Sequence, residues 1–297
     1  MKKFVCIDIG GTSIKYGLLD EMGNIINTSN VETNALVDGG EGILDKIKII
    51  ISSYTKNNKI EGICISTAGI VDDINGEIIF ALDKLIPNYT GMKLKKEIDR
   101  YFKIKCEVEN DVNCAALGEY WLGSNKNSYS SFCLTIGTGI GGAFMIKDQV
   151  IRGFNGSAGE IGYMNINNDY FQDVASTTAL IKKISSRKNI DPSSLNGKII
   201  FDMIKNNDLI CIEEIDNMIN TLGIGISNIC YMFNPEKIII GGGIMSQEHF
   251  FRPKLEKVLD EIFINDTYKN TKIEFAKLKN NAGMVGSLYN FLQKNKN

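Results

Sequence analysis

Three glycine-rich segments each follow a predicted strand, and the first is Asp8-Ile9-Gly10-Gly11-Thr12-Ser13. Glycines have no Cβ, so backbone N–H groups can approach phosphate oxygens, and the Thr and Ser hydroxyls add donors. A carboxylate at a strand end, here Asp8, can hold Mg²⁺ through water molecules. The GxxxxGK[ST] spacing of a Walker loop is absent. The segment indicates a phosphate site, and a tight hairpin without a ligand is the alternative.

The second segment, Gly137-Thr138-Gly139-Ile140-Gly141-Gly142, has four glycines in six positions, more than a hairpin needs. Thr138 could donate a hydrogen bond to a phosphate. A dinucleotide-binding fingerprint is the alternative, but a helix should follow it. Residues 143–146 instead have the composition of a strand. The segment therefore favours a second phosphate-binding turn.

The third segment, Gly241-Gly242-Gly243, directly follows the predicted strand over 237–240. A strand that ends in three glycines leaves a flat backbone surface, because no side chain covers it. Such a surface suits a planar base or its ribose, and an ordinary turn is the alternative.

Glu109-Asn110-Asp111 lies where a predicted strand, 104–109, meets a predicted helix, 112–122. An Asp at a helix N-terminus is often only a cap. The functional interpretation is a general base, because phosphoryl transfer needs a carboxylate within hydrogen-bond reach of the attacking hydroxyl. Asn110 would then offer a neutral donor and acceptor to a sugar hydroxyl.

A lone carboxylate, Glu160, lies between glycines in the segment 156–163. This position suits neither a core nor a helix, but it lets the side chain reach into a cleft. Carboxylates bind vicinal hydroxyls by accepting two hydrogen bonds. A glycine-rich surface loop is the alternative.

The elements that must position these residues form two similar halves. Each half begins with a strand, a glycine-rich reversal and another strand, and helices and strands follow. Helices are predicted over 42–54, 94–102, 112–122, 173–187, 211–233, 247–263 and 283–293. The similarity predicts a duplicated α/β domain that holds a nucleotide between its copies, with one glycine hairpin from each half against the phosphates.

Composition excludes several classes of protein. The 297 residues carry 33 Lys+Arg and 35 Asp+Glu, so no broad basic face for nucleic acid is expected. The seven cysteines are scattered without CxxC spacing, which predicts neither disulfides nor a zinc site. No signal peptide and no apolar run near 18 residues is found, so we expect a soluble, cytoplasmic protein that does not contact a membrane.

The five segments, in this order, resemble the ROK family of ATP-dependent sugar kinases, and the likeness covers essentially the whole chain. The resemblance implies the two-lobed actin-like/hexokinase (ribonuclease-H-like) α/β fold, with the ligand cleft between the lobes. It divides the chain into an N-terminal lobe, 1–112, joined by the closing helix 283–297, and a C-terminal lobe, 113–282.

The resemblance also assigns roles. Asp111 is expected to be the catalytic base, and the sugar is expected to contact Gly69, Asn110, Glu160, Tyr163 and Gln172. The first phosphate loop would comprise Asp8, Gly10, Gly11, Thr12 and Lys15, with Asp8 also holding Mg²⁺ through water. The second phosphate loop would comprise Gly137, Thr138 and Gly139, and Gly241 and Gly242 would lie beside the adenosine.

The sequence departs from the family pattern at one place. Many members continue Glu-x-Gly-His and then supply a cysteine cluster, so that one His and three Cys hold zinc. Here Tyr163 stands at the His position, no cysteine occurs between Cys133 and Cys211, and Gln172 is the nearest match to a further sugar-binding Glu. The pattern is similar to zinc-independent members, and no zinc site is expected.

The resemblance implies phosphorylation of a hexose-type sugar by ATP and Mg²⁺, at the 6-hydroxyl, by in-line transfer. Candidate sugars are N-acetylmannosamine, glucose and a β-glucoside, and a homodimer is expected. The alternative is a sugar-sensing transcriptional regulator of the same family. That alternative is disfavoured because the phosphate-loop strand starts at residue 3, which leaves no room for a helix-turn-helix before it.

Overall fold

The computed structural model describes residues 1–296, which form two compact units. The first unit contains residues 1–126, 148–158 and 281–296, and the second contains 127–147 and 159–280. The predicted lobe boundary at 112 and 113 differs from this division, because the helix that begins at residue 111 packs within the first unit. Residue 297 of the predicted closing segment lies outside the described residues.

The first unit is built on a mixed sheet. Its strands are β1 (Lys3–Ile9), β2 (Ser13–Asp20), β3 (Ile25–Glu32), β4 (Gly62–Thr67), β5 (Ile70–Asp72), β6 (Glu77–Phe80) and β7 (Cys106–Asn110). The sheet order is β3-β2-β1-β4-β7, and β5 and β6 form a separate hairpin. β1 is antiparallel to β2, whereas β1, β4 and β7 are parallel. The carboxyl ends of these three parallel strands therefore meet at one edge of the sheet.

Three helices belong to this part of the chain: α1 (Ala35–Thr55), α2 (Leu94–Phe102) and α3 (Asp111–Leu122). The prediction began the first helix at residue 42, but α1 starts seven residues earlier and kinks at Gly39, whose φ is 58°. Only a residue that tolerates left-handed backbone suits that kink. The apolar spacing that predicts the helix begins after it, which explains the difference.

The second unit contains strands β8 (Ser130–Ile136), β9 (Ile140–Ile146), β11 (Asn165–Ile166), β12 (Asp169–Tyr170), β13 (Lys237–Gly241) and β14 (Lys272–Phe275). The two-residue strand β10 (Gln149–Val150) belongs to the first unit. The strands of its main sheet lie in the order β9-β8-β13-β14. β8 is antiparallel to β9 and parallel to β13, as β1 is to β2 and β4. The predicted duplication is thus visible in the strand order of the two units.

Five helices complete the second unit: α4 (Phe171–Ala175), α5 (Thr177–Lys188), α6 (Gly197–Lys205), α7 (Leu209–Phe233) and α8 (Glu248–Ile262). The helix predicted over 173–187 is two helices, α4 and α5, because the helical backbone is interrupted at Ser176. Ser176 has extended backbone (φ −79°, ψ 165°), and its hydroxyl accepts a hydrogen bond from the Ala179 amide. A serine in this conformation caps the helix that follows it.

Each unit has its own apolar core. In the first, all six residues of β4 are buried, and α1 packs Ile43, Ile47 and Ile51 into the core. In the second, α7 contributes much of the buried surface. All seven cysteines are buried and free, as expected for thiols used as small apolar side chains. No helix within residues 1–296 is both long and apolar enough to span a bilayer.

The last helix, α9 (Ala282–Lys294), returns to the first unit and packs against α3, β4 and β1. Gly286 lies at the contact with α3, where an added Cβ would come within 1.6 Å of the Cys114 carbonyl oxygen. The two helices can approach this closely only because residue 286 has no side chain.

Gly286→Ala should therefore lower the free energy of unfolding by about 1–3 kcal/mol, the usual range for overpacking. Urea unfolding of the purified variant measures this change. Gly11→Ala is the matched control, because no atom lies within 4 Å of the methyl it adds. Equal midpoints for the two variants would contradict the proposed helix contact.

Candidate functional site

The first glycine turn joins β1 to β2. The Gly10 amide donates to the Ser13 carbonyl (3.0 Å), which closes the turn. Thr33 supports it, because its hydroxyl donates to the Gly10 carbonyl (2.7 Å) and its amide donates to the Thr12 carbonyl (2.9 Å). No atom lies within 4 Å of the Cβ position of Gly11. The turn is held by Thr33, the residue that follows β3, and has open space at Gly11.

Asp8 is a half-buried carboxylate next to this turn. The Ser66 hydroxyl donates to its Oδ1 (2.5 Å), and Gly283 at the start of α9 lies close enough that a Cβ would approach the carboxyl carbon to 2.4 Å. Burial raises the pKa of Asp8. The Ser66 hydrogen bond and the charge of Lys15 act in the opposite direction and partly offset this rise. A bound cation would stabilise the ionised form of this carboxylate.

Asp8 fits one particular mode of Mg²⁺ binding. No group of three or more His, Cys, Asp or Glu side chains in residues 1–296 could hold a metal by itself. Mg²⁺ commonly keeps several waters and binds through one or two carboxylates together with substrate phosphates. Asp8 is suited to that mode, since it is an oxygen donor whose burial penalises an uncompensated charge.

Asn110 ends β7 and caps α3. Its Oδ1 accepts hydrogen bonds from the amides of Val112 (2.9 Å) and Asn113 (3.0 Å). Its Nδ2 donates to the Gly69 carbonyl (2.9 Å) and to Asp111 Oδ1 (3.1 Å). The predicted sugar contacts Asn110 and Gly69 are thus brought together with Asp111 in the first unit.

Gly69 has backbone that only glycine adopts readily. Its φ is +98°, and a Cβ would lie 2.8 Å from the Phe80 carbonyl oxygen. Both observations require glycine here. The position that the resemblance assigned to a backbone sugar contact is therefore fixed by the β5–β6 hairpin beside it.

Asp111 is the first residue of α3, where the helix N-terminus stabilises negative charge. Its Oδ1 also accepts from the Val112 amide (2.9 Å). Burial, and then the charges of Glu109, Asp8 and Asp111, raise the pKa of the Cys114 thiol. The three carboxylates therefore lie within electrostatic range of one buried group.

Two residues of this site were missed by sequence reasoning: Glu109, which was only part of a motif, and Arg152. The Glu109 side chain is 1% exposed, and its Oε2 accepts from Arg152 Nε (2.8 Å) and Nη2 (2.6 Å). A charged residue of this kind is almost never fully buried unless it is paired. The position of Glu109 on the strand that leads to Asp111 was the sequence signal that could have identified it as a site residue.

The second glycine turn joins β8 to β9 in the second unit. The Gly137 amide donates to the Gly139 carbonyl (3.0 Å), and the Gly137 carbonyl accepts from the Thr177 amide at the start of α5 (3.0 Å). A cavity of about 480 Å³ adjoins this turn. Its lining residues are Gly137, Thr138, Thr177, Thr178, Ile181, Asn196, Gly197, Lys198, Phe201, Gly243, Ile244, Ser246 and Gln247.

The glycine triplet contributes to this cavity through its third member. Gly243 lines the cavity, whereas Gly241 is the last residue of β13. Gly242 has a φ of +119°, and a Cβ there would come within 2.0 Å of the Ile136 carbonyl oxygen. Gly242 is therefore required where the chain passes the end of β8.

Glu160, Tyr163 and Gln172 lie in the second unit. Gln172 Oε1 lies 2.8 Å from the Cβ position of Gly139 and 3.0 Å from that of Gly162, the residue before Tyr163. The Tyr163 ring meets Tyr170 edge to face at 5.8 Å. The sugar-loop residues and the second glycine turn are thus connected through Gln172.

Glu160 precedes a short helix, Ile161–Tyr163, and its residue surface is exposed. The protein around the carboxyl group nevertheless raises its pKa by desolvation. No cation among the described residues offsets this effect, since desolvation is its only cause. A ligand that donates hydrogen bonds would stabilise the ionised carboxylate.

Comparison with known proteins gives a consistent assignment. An uncharacterized protein of Clostridium perfringens is 51% identical, and the beta-glucoside kinase of Listeria monocytogenes is 31% identical; each alignment covers 98% of both chains. A Listeria monocytogenes structure, proposed to be an N-acetylmannosamine kinase, superposes with a TM-score of 0.88 at 30% identity, covering 99% of this chain and all of that one.

A ROK family glucokinase of Streptomyces griseus, solved with glucose and AMPPNP, superposes with a TM-score of 0.85 at 27% identity, covering 96% and 98% of the two chains. These neighbours confirm the predicted actin-like/hexokinase fold. The ROK family profile matches residues 4–294. With both glycine turns, the capped start of α3 and the Glu160 loop inside that span, this chain belongs to the ROK family.

Proposed function

We propose that this chain transfers the γ-phosphoryl group of ATP to the 6-hydroxyl of a β-glucoside. It is a carbohydrate kinase, since the family match spans nearly the whole chain and its 31% identical relative is a kinase. The β-glucoside is favoured because three relatives at 30–31% identity are named beta-glucoside kinases. The second candidate sugar is N-acetylmannosamine, from the name of the structural neighbour.

The observation that carries the chemical proposal is the β7–α3 junction. The register pairs Ile9 with Thr67 and Thr67 with Asn110, so the glycine turn after β1 and the start of α3 lie at the same sheet edge. Asp111 begins that helix. A carboxylate at this edge suits a general base that acts beside bound phosphates.

In the proposed step, Asp111 accepts the proton of the sugar 6-hydroxyl as that oxygen attacks the γ-phosphorus. The new O–P bond forms while the bond from phosphorus to the β,γ-bridging oxygen breaks, and ADP leaves. Mg²⁺ held by Asp8, when bound, would neutralise charge on the phosphates. The backbone amides of both glycine turns, other than those of Gly10 and Gly137 that close the turns, are the proposed phosphate donors.

The cavity beside Thr138 is the proposed nucleoside site. It is lined by the first turns of α5 and α6 and by Gly243. The Thr177 hydroxyl is buried without a hydrogen-bond partner among residues 1–296, so a ribose or base could satisfy it. Gly241 and Gly242, which are absent from the lining of this cavity, are proposed to support it through Gly243.

The sugar is proposed to contact Glu160, Asn110 and the backbone of Gly69, with Tyr163 and Gln172 ordering the loop. Glu160 suits vicinal hydroxyls because an ionised carboxylate accepts two hydrogen bonds. The packing of Gln172 against Gly139 and Gly162, and of Tyr163 against Tyr170, would order the loop where other family members use zinc.

A coupled ADP-release assay with a sugar panel tests the proposal. Cellobiose should give the highest kcat/KM among cellobiose, glucose, N-acetylmannosamine and N-acetylglucosamine, and ³¹P–¹H NMR should place the phosphate on O6. A preference for N-acetylmannosamine or glucose would overturn the β-glucoside assignment. Absence of sugar-dependent ADP release would favour the sugar-sensing regulator. Light scattering of the same sample tests the expected homodimer.

A further inference from the structure

The segment 148–158 belongs to the first unit, although the chain before and after it belongs to the second. Two side chains fix it there. Gln293 of α9 donates through Nε2 to the carbonyl (2.9 Å) and to Oδ2 (3.1 Å) of Asp148. Arg152 binds Glu109. The segment leads directly to the loop that carries Glu160.

Glu109 has every acceptor position occupied. Its Oε2 accepts two N–H groups of Arg152, and its Oε1 accepts the amide of Asn110 (2.8 Å) and Nδ2 of Asn113 (3.0 Å). One carboxylate therefore connects Arg152 to the cap of α3. Asp111 follows Asn110 directly as the first residue of that helix.

Arg152 also closes the loop through its backbone. Its carbonyl accepts from the Ala158 amide (3.2 Å), two residues before Glu160. Within this loop Gly153 and Gly156 have φ values of 73° and 85°, and Gly159 has 92°. Three left-handed glycines leave the loop few restraints of its own, so its conformation depends on the residue that anchors it.

A neutral network of six charges surrounds this contact. Its acids are Asp73, Glu107 and Glu109, and its bases are Lys95, Arg152 and Lys294. Arg152 binds Glu109 at the end nearest Asp111, whereas Lys294 contacts Asp73 (3.0 Å) and Glu107 (3.9 Å). Both cations neutralise buried acids, but only Arg152 contacts the carboxylate that holds the cap of α3.

We propose that Arg152 is a positioning residue that sets, through Glu109, the start of α3 with Asp111 and, through its carbonyl, the loop that presents Glu160. The kinetic part of this inference rests on the proposed function. Misplacement of a reacting group by about 1 Å costs about 100-fold in rate. Arg152 should therefore affect kcat and the sugar KM together, and leave the KM for ATP unchanged.

The test compares Arg152→Met with the matched control Lys294→Met, because each removes one cation from the same network. For Arg152→Met we expect kcat/KM for the sugar to fall by about 10–100-fold. Lys294→Met should lower thermal stability while keeping kcat/KM within about twofold of wild type. Arg152→Lys, which keeps the charge but loses the paired N–H groups, should be intermediate.

Hydrogen–deuterium exchange supplies a readout that needs no activity. Arg152→Met should speed amide exchange in residues 111–114 and 153–160, and Lys294→Met should not. Equal kinetic losses and equal exchange in both variants would overturn the proposal and leave a purely structural network. If wild type phosphorylates no sugar, the proposed function fails, and the exchange comparison alone decides the positioning role.

Discussion

Asp111→Asn should lower kcat by about 10²–10⁴-fold, the contribution that a general base makes. The amide keeps the size of the side chain but cannot accept the hydroxyl proton. The KM for ATP should stay within about twofold of wild type, because Asp111 is proposed to act on the sugar hydroxyl and not on the nucleotide. Steady-state ADP-release kinetics with saturating sugar measure both quantities.

The structural role of Asp111 predicts a different result. A carboxylate at a helix N-terminus contributes only about 0.3–1 kcal/mol to stability. Asp208→Asn is the matched control, since Asp208 caps α7 by accepting the Cys211 amide (3.1 Å). It should lose stability without losing kcat. If Asp111→Asn behaves in the same way, Asp111 only stabilises the start of α3 and the catalytic role is rejected.

Glu160→Gln should raise the KM for the sugar by about 10–100-fold. A hydrogen bond to a charged group contributes about 1.5–3 kcal/mol, and 1.4 kcal/mol corresponds to a factor of ten. The proposed loss is in sugar binding, so the KM for ATP should not change. Calorimetric titration of the sugar gives the affinity directly, and Glu261→Gln, at an exposed position of α8, is the control.

The pH dependence follows from the raised pKa of Glu160. Sugar binding needs the ionised carboxylate, so affinity should fall as the pH decreases through that raised pKa, at a higher pH than for an ordinary Glu. Glu160→Gln should remove this acidic limb from the sugar KM profile. A limb that persists in the variant would assign it to another group.

The stability of the sugar-free protein should depend on pH in the opposite direction to the sugar affinity. The folded state holds the Glu160 proton more tightly than the unfolded chain, so this contribution to stability is present at low pH and lost as the pH rises through the raised pKa. At neutral pH, Glu160→Gln should therefore not reduce the Tm of the sugar-free protein. A clear fall in Tm would mean that the carboxylate has a structural partner.

Local patterns predicted the positions of the glycine turns and of the β7–α3 junction. A strand followed by glycines and another strand has few alternative structures. At the β7–α3 junction the sequence indicated Asp111 as the possible cap, whereas Asn110 is the residue that caps α3. The register that places these pieces at one sheet edge follows from the parallel pairing of β1, β4 and β7.

The Arg152–Glu109 pair could not be predicted in the same way. The two residues are 43 positions apart, and nothing local selects Arg152 over another cation. The helix α6 was missed for a local reason, because it begins at a glycine after a polar stretch. Its capping signal was present, since Asn196 accepts the Ile199 amide (3.0 Å).

The glycine triplet shows what a motif leaves undetermined about its individual residues. A run of three glycines does not reveal which member is needed for its backbone and which for its open surface. The structure assigns the left-handed backbone to Gly242 and the cavity surface to Gly243. Only the position of β8 beside residue 242 makes that distinction.

The first unit is assembled from three separated stretches of chain, the last of which begins at residue 281. During synthesis on a ribosome, β1 and β4 therefore emerge long before α9, the helix that covers them. The nested second unit can complete its own core earlier, because all of its residues precede that helix. Nascent chains should thus acquire protease resistance in residues 159–280 first, and the amino-terminal sheet should become resistant only after α9 has emerged.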